Sequence, residues 1–346
     1  MPSFYQLVSS VGLFVTPILP LVLGAQRAEK AVREKLTESM DLKNAMSMPV
    51  IGSIVLFGLY VVIKFISADY LQYLLTLYFM FIGAVGINEF FSFIFEKYAS
   101  PEKFFITIPF INSKIETSKS EILGTGVGFI FSLLWVITRH WILNNLLAFC
   151  LTVVAIGELT APSFKIAAIM LIALFCYDIF WVFGSEVMLT VATHVDGPIK
   201  FIFPKDGNFI FTDQVSLLGL GDIAIPGIFI ALMKRVDTSF NNKSQYFMVS
   251  MISYFIGLLI TFIVMHTFAC GQPALLYLVP ALLIGTISYA LSRKELKQVY
   301  DYHDPTDEKE ESSEAEESSE AEESSEAEES SEEDDDEKEE SSEEED

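Results

Sequence analysis

The chain has 346 residues, 51% of them hydrophobic, three cysteines and a formal net charge of −24. That charge belongs to one end: residues 301–346 hold 27 of the 46 acids and two of the 22 bases, leaving 19 acids and 20 bases before them. The body therefore has no basic patch for nucleic acid, and an odd cysteine count without CxxC spacing argues against a disulfide framework.

A membrane-spanning helix needs about 20 mostly apolar residues. Nine segments qualify: 6–24, 48–67, 71–95, 122–141, 144–160, 164–190, 214–233, 245–268 and 272–291. They are too long and too uniformly apolar for the alternating strands of a membrane β-barrel. The fold class is therefore an all-α polytopic membrane protein. The first segment has no Lys or Arg before Arg27, so it lacks the basic start of a signal peptide and is read as a retained helix. Cys150 and Cys176 lie inside apolar runs and read as small buried hydrophobes.

Orientation follows from basic residues in the loops. Arg27, Lys30, Arg33, Lys35 and Lys43 follow the first segment, and Lys97, Lys103, Lys114 and Lys119 follow the third. Lys165, then Lys234, Arg235 and Lys243, then Arg293, Lys294 and Lys297 fall on the same side. The other side has only Lys64, Arg139, Lys200 and Lys205. The N-terminus is expected in the lumen or exterior and the C-terminus in the cytosol.

Between segments six and seven, Ile199–Phe203 and Asn208–Phe211 flank Pro204–Gly207, which reads as strand, turn, strand. The chain thus divides into a nine-helix membrane domain, 1–300, and an acidic cytosolic tail, 301–346. The ESSEAE-type repeats of the tail cannot bury enough apolar surface to order it. Ser313 and Ser319, each with Glu at i+3, invite acid-directed phosphorylation, although a solvated spacer explains the tail as well. A partner for this tail is not readable.

Ionisable groups inside membrane segments are expensive and mark function by default. The candidates are Glu89, Glu158, Asp178, Glu186 and Asp222. Glu89 and Glu158 lie toward helix ends and read as structural or interfacial. Asp178 sits in LFCYDIFWVFG and Asp222 in LLGLGDIAIPG, at compatible depths on consecutive segments. Gly219 and Gly221 remove side chains beside Asp222, so another backbone can approach. Pro226 interrupts the helix beyond it, and Gly227 is expected to loosen it further.

Two adjacent carboxyls share one proton, so one can act as general base and the other as general acid. On this evidence alone a peptidase and an ion- or proton-coupled transporter are equally open. Zinc-protease HExxH, the GxSxG elbow and a phosphate loop are all missing from the sequence.

Three motifs in order, YD (Tyr177, Asp178), GLGD (Gly219, Leu220, Gly221, Asp222) and QPAL (Gln272, Pro273, Ala274, Leu275), resemble the intramembrane aspartyl proteases. The surrounding DIFWVFGSEVMLTVA and GLGDIAIPGIFIALMKR are similar to signal peptide peptidase, related to the presenilins. The resemblance runs from about residue 50 to 290. It implies catalysis by Asp178 and Asp222, with Tyr177 packed beside them. Pro273, Ala274 and Leu275 would shape the site, with the backbone at Pro273 left open because proline cannot donate.

The resemblance further implies no cofactor or metal and substrates that are transmembrane peptides, namely remnant signal peptides and type II membrane segments. The setting is the bilayer of the endoplasmic reticulum, and a homo-oligomer is among the allowed states. Presenilins have the opposite orientation to the one counted above. The family's dilysine retrieval signal has no counterpart in the terminal EEED.

Overall fold

The computed structural model describes residues 4–35, 40–65, 68–95, 103–108, 113–205, 214–240, 243–268 and 272–304. Met1–Tyr302 form one compact unit and His303–Asp346 a second. The acidic tail beyond 304, with its expected disorder and Ser313 and Ser319, lies outside the described residues. So do residues 208–211, Asn242 and Cys270.

The chain opens with α1, Phe4–Val15, and α2, Ile18–Glu34. The two form one 30-residue span, Tyr5–Glu34. Pro17 and Pro20 mark the junction, because proline is tolerated in a helix's opening turn but cannot continue the preceding one. The helix passes the expected end at 24 because AQRAEKAVRE, though charged, consists of strong helix formers. Arg27, Lys30 and Arg33 therefore sit on a helix, where a loop was expected.

Next come α3, Leu42–Phe65, and α4, Ala68–Phe95. An antiparallel hairpin of β1, Lys103–Ile108, and β2, Ser113–Ser118, follows, where only a loop was expected. Then α5, Lys119–Thr138, α6, Trp141–Glu158, and α7, Phe164–Gly184, cross the apolar regions.

The sixth expected segment stops at Gly184 rather than 190. Ser185 is extended, with φ −154° and ψ 157°, and a separate helix α8, Val187–His194, begins after it. Glu186 is the residue just before α8, so it is not a mid-helix charge.

A second hairpin pairs β3, Lys200–Pro204, with β4, Val215–Gly219. The chain closes with α9, Gly221–Ser239, α10, Tyr246–Phe268, α11, Leu275–Arg293, and the short α12, Leu296–Tyr300. The hairpin expected between segments six and seven exists, but its second strand is Val215–Gly219. Those residues open the seventh apolar segment, 214–233, which is therefore not helical from its start.

Among the described residues, eight helical spans are long and apolar enough to cross a membrane. The expected 214–233 span is instead divided between β4 and α9. Helix α9 carries Asp222, Lys234, Arg235 and Asp237 within 19 residues.

Helix α9 is nonetheless the centre of the bundle. Ile223, Ala224, Pro226 to Met233 and Arg235 to Asp237 are buried, and α2, α6, α7, α10 and α11 pack around it. Close backbone approach makes this possible. A Cβ on Gly227 would lie 2.5 Å from Ile156 Cδ1 and 3.1 Å from Leu21, and one on Gly24 would lie 2.7 Å from Ile156 Cβ. Gly227 thus admits the Ile156 side chain between three helices. That packing role, rather than loosening, is the physical reason for glycine here.

The two glutamates assigned to structure are indeed paired. Arg27 on α2 reaches Glu89 Oε2 of α4 at 2.9 Å and Glu158 Oε1 of α6 at 2.6 Å. Its second nitrogen donates to the Glu89 carbonyl at 2.7 Å. One guanidinium therefore joins three helices. At the far end of α9, Asp237 accepts from the backbone N–H groups of Tyr246 and Phe247, both at 2.8 Å, and so caps α10. Buried Arg235 donates to the Ala161 carbonyl at 2.7 Å.

Candidate active site

Asp178 lies two-thirds of the way along α7 and is 7% exposed. Its Oδ2 accepts a hydrogen bond from the backbone N–H of Leu275 at 3.0 Å. Leu275 is the first residue of α11, and opening-turn N–H groups have no partner within their own helix. The PAL segment therefore supplies a donor to the aspartate. Pro273 and Ala274 are buried beneath it. The Pro273 carbonyl is not left open but accepts from Leu276 at 3.3 Å. The group of this segment that touches Asp178 is the Leu275 N–H.

Asp222 stands in the first turn of α9, not mid-helix, because the five residues before Leu220 are strand β4. It is partly exposed, and its carboxylate is bonded by the backbone of Gly219. A Cβ on Gly219 would meet Asp222 Oδ2 at 3.1 Å, so glycine there keeps room for the carboxylate itself. Gly221 is exposed, with only Ile225 near a built Cβ. Leu220 is the residue just before α9, its N–H donating to the carbonyl of Ile199, just before β3, at 2.9 Å and its carbonyl accepting from Ala224 at 2.8 Å. Pro226 has no N–H to return to the Asp222 carbonyl one turn earlier, which leaves this first turn adaptable.

The two carboxyls interact electrostatically with each other. Elements far apart in sequence thus place Asp178, Asp222, Gly219 and Leu275 around one point. Tyr177 interacts with Asp178, lies beside Gly52 of α3 and has its ring 6.4 Å from Trp181. Gln272 Oε1 accepts from the Tyr277 hydroxyl at 3.2 Å, fastening the approach to α11.

Three further residues bear on the site and were not singled out from the sequence. Asn144 Nδ2 donates to the Lys200 carbonyl at 2.7 Å. Asn145 donates to the Ile202 carbonyl and accepts from the Ile202 N–H, both at 2.8 Å. Ile199 and Lys205 are the β3-side residues that bond to β4's chain, so Lys200 and Ile202 point the other way. The two asparagines close the outer edge of β3. On β4, by the same alternation, Val215, Leu217 and Gly219 present their backbone groups outward. No other strand pairs with that edge among the described residues.

The third is Tyr254 of α10, fully buried and close enough to Asp222 to feel its charge. An Asn pair opening an apolar segment, and a tyrosine in the middle of one, were the available sequence signals.

Comparison with known proteins accords with this geometry. The family profile described as signal peptide peptidase matches residues 32–306. Signal peptide peptidase of Mus musculus is 34% identical over 328 residues, covering 87% of this chain and 86% of that protein. The Homo sapiens protein of the same name is 33% identical over 312 residues, covering 84% and 82%. A Schizosaccharomyces pombe protein named "Probable intramembrane protease" is 31% identical over 300 residues, covering 84% and 93%. None of these is named a transporter.

Proposed function

This chain belongs to the signal peptide peptidase family, and from that premise we propose that Asp178 and Asp222 are its catalytic pair. The protein is a multi-pass intramembrane aspartyl protease. The observation that carries the assignment is the meeting of Asp178 on α7 with Asp222 in the first turn of α9. Each carboxylate is held by one backbone group, from Leu275 and Gly219 respectively.

In this reading the ionised carboxyl draws a proton from water while the water oxygen bonds to the scissile carbonyl carbon. The protonated carboxyl gives its proton to the carbonyl oxygen. When the tetrahedral adduct collapses, the C–N bond breaks and the amine leaves with the proton first taken from water. Proton transfer at two fixed carboxyls therefore performs the hydrolysis. The test is cleavage of a synthetic signal peptide by purified protein, together with labelling by an aspartyl-protease transition-state mimic. A transition-state mimic binds a protease far more tightly than it binds a transporter using the same acids. Cleavage that survives in Asp178→Asn or Asp222→Asn would overturn the pair.

The proposed substrates are remnant signal peptides and type II membrane segments, cut in the endoplasmic reticulum, with the N-terminus lumenal and the C-terminus cytosolic. The basic-residue count supports that orientation. A C-terminal tag on intact microsomes should be open to added protease, and protection of the tag would reverse the topology.

A helical substrate hides its peptide bonds, so it must unwind near the dyad and find partners for the freed backbone groups. The outward edge of β4 offers them by strand addition, and that edge ends at Gly219, which bonds Asp222. Because Asn144 and Asn145 occupy β3, the substrate strand is assigned to β4.

A further inference from the structure

Tyr254 presents a buried polar group without a use. It lies in the middle of α10, is 0% exposed and packs in the same apolar cluster as Ile223, Ala274, Leu275 and Leu278. Among the described residues its hydroxyl has no hydrogen-bond partner. An unmade hydrogen bond in such surroundings is costly, and phenylalanine would fill the same space without that cost. A packing role explains the ring and leaves the hydroxyl unexplained.

The position of α10 is tightly set. One turn beyond Tyr254, a Cβ on Gly257 would lie 3.0 Å from both Leu278 Cα and the Tyr277 carbonyl, so α10 and α11 touch backbone to backbone. Those residues are in the same first turn of α11 that begins with Leu275, the donor to Asp178. Helix α10 also packs on α9, and the phenol lies within electrostatic range of Asp222. The two carboxyls are otherwise evenly served, each by a single backbone group.

We propose that Tyr254 is a positioning residue for the dyad: its hydroxyl, unpartnered in the resting structure, turns to donate to Asp222 when that carboxylate is ionised, so the negative charge rests on Asp222 and the shared proton on Asp178. Asp222 is then the base that takes the proton from water, and Asp178 the acid that protonates the scissile carbonyl. A neutral donor beside the ionised carboxylate favours that arrangement over its mirror image. The assignment rests on the catalytic reading of Asp178 and Asp222 given above.

The experiment is Tyr254→Phe in the purified full chain, assayed beside Asp178→Asn and Asp222→Asn. The Phe variant should lose about tenfold or more in kcat, with KM within about twofold of wild type. Its acid limb of kcat/KM should move to higher pH, and its thermal midpoint should be unchanged or raised. Replacing Tyr254 by 3-fluorotyrosine, which keeps the shape and acidifies the phenol, should alter the pH profile again. Wild-type kcat and an unchanged pH profile for both replacements would overturn the role of Tyr254 while the Asn variants remain dead. Active Asn variants would instead overturn the dyad itself.

Discussion

Helices α3 and α9 invert the usual relation between hydropathy and burial. Helix α3 is among the most apolar spans, with mean hydropathy 2.2 over its best window, yet none of that window is buried. Helix α9 has four charged side chains in 19 residues, and nearly every residue after Asp222 is buried. In water the apolar helix would be the core. In a bilayer the lipid is as apolar as leucine, so hydrophobicity alone does not draw a helix inward. What draws α9 inward is close backbone packing at Gly227 and polar groups that need partners, at Asp222, Arg235 and Asp237. The centre of this enzyme is where its sequence is least like a membrane helix.

The comparison breaks most visibly at the aspartates. Asp178→Asn or Asp222→Asn should reduce cleavage at least about a thousandfold, since the amide keeps the shape but cannot exchange protons. Insertion and the melting profile should stay near wild type. A loss of only a few-fold in either variant would remove that residue from the chemistry. A pH–rate curve should report the pair jointly.

Next come paired glycine substitutions. Gly227→Val, forced against Ile156 and Leu21, should cost at least about 1–3 kcal/mol and lower the yield of folded protein. Gly58→Ala on α3, where nothing lies within 4 Å, should be neutral or stabilising by up to about 1 kcal/mol. Equal effects at the two sites, measured by thermal denaturation in detergent, would erase the contrast between the helices.

The hairpin edges give a third test. Leu217→Pro removes an outward N–H from β4 and should slow cleavage about tenfold without displacing a dyad-directed inhibitor. Full activity would make the hairpin a spacer between α7 and α9. Arg27→Gln should have a smaller effect. It leaves Glu89 and Glu158 facing each other but near half exposed, so the cost should be about 1–2 kcal/mol, below that of a fully buried pair. Smallest of all, deletion of residues 305–346 should leave turnover of purified enzyme within about twofold, because the tail follows every motif residue. A large fall with normal folding would reveal a regulatory contact.

The sequence by itself determined the membrane class and the positions of nearly all the helices, and it singled out Asp178 and Asp222 as candidates. These follow from local rules: about 20 apolar residues make a span, and a charge inside one is too costly to be idle. It also placed Glu89 and Glu158 in a structural role, though not their partner.

The tertiary structure decided matters that depend on residues far apart in the chain. Val215–Gly219 is apolar enough to have been read as helix, and its pairing with Lys200–Pro204 makes it a strand. That pairing moves Asp222 from mid-helix to a first turn. Gly227 reads as a flexible point until Ile156 is seen against it. Tyr254 is one aromatic among many in an apolar run, and only the packing of α10 on α9 and α11 brings its unpartnered hydroxyl to the dyad. Hydropathy is a property of each segment alone, whereas hydrogen-bond satisfaction and backbone contact are properties of pairs, and pairs exist only once the helices have met.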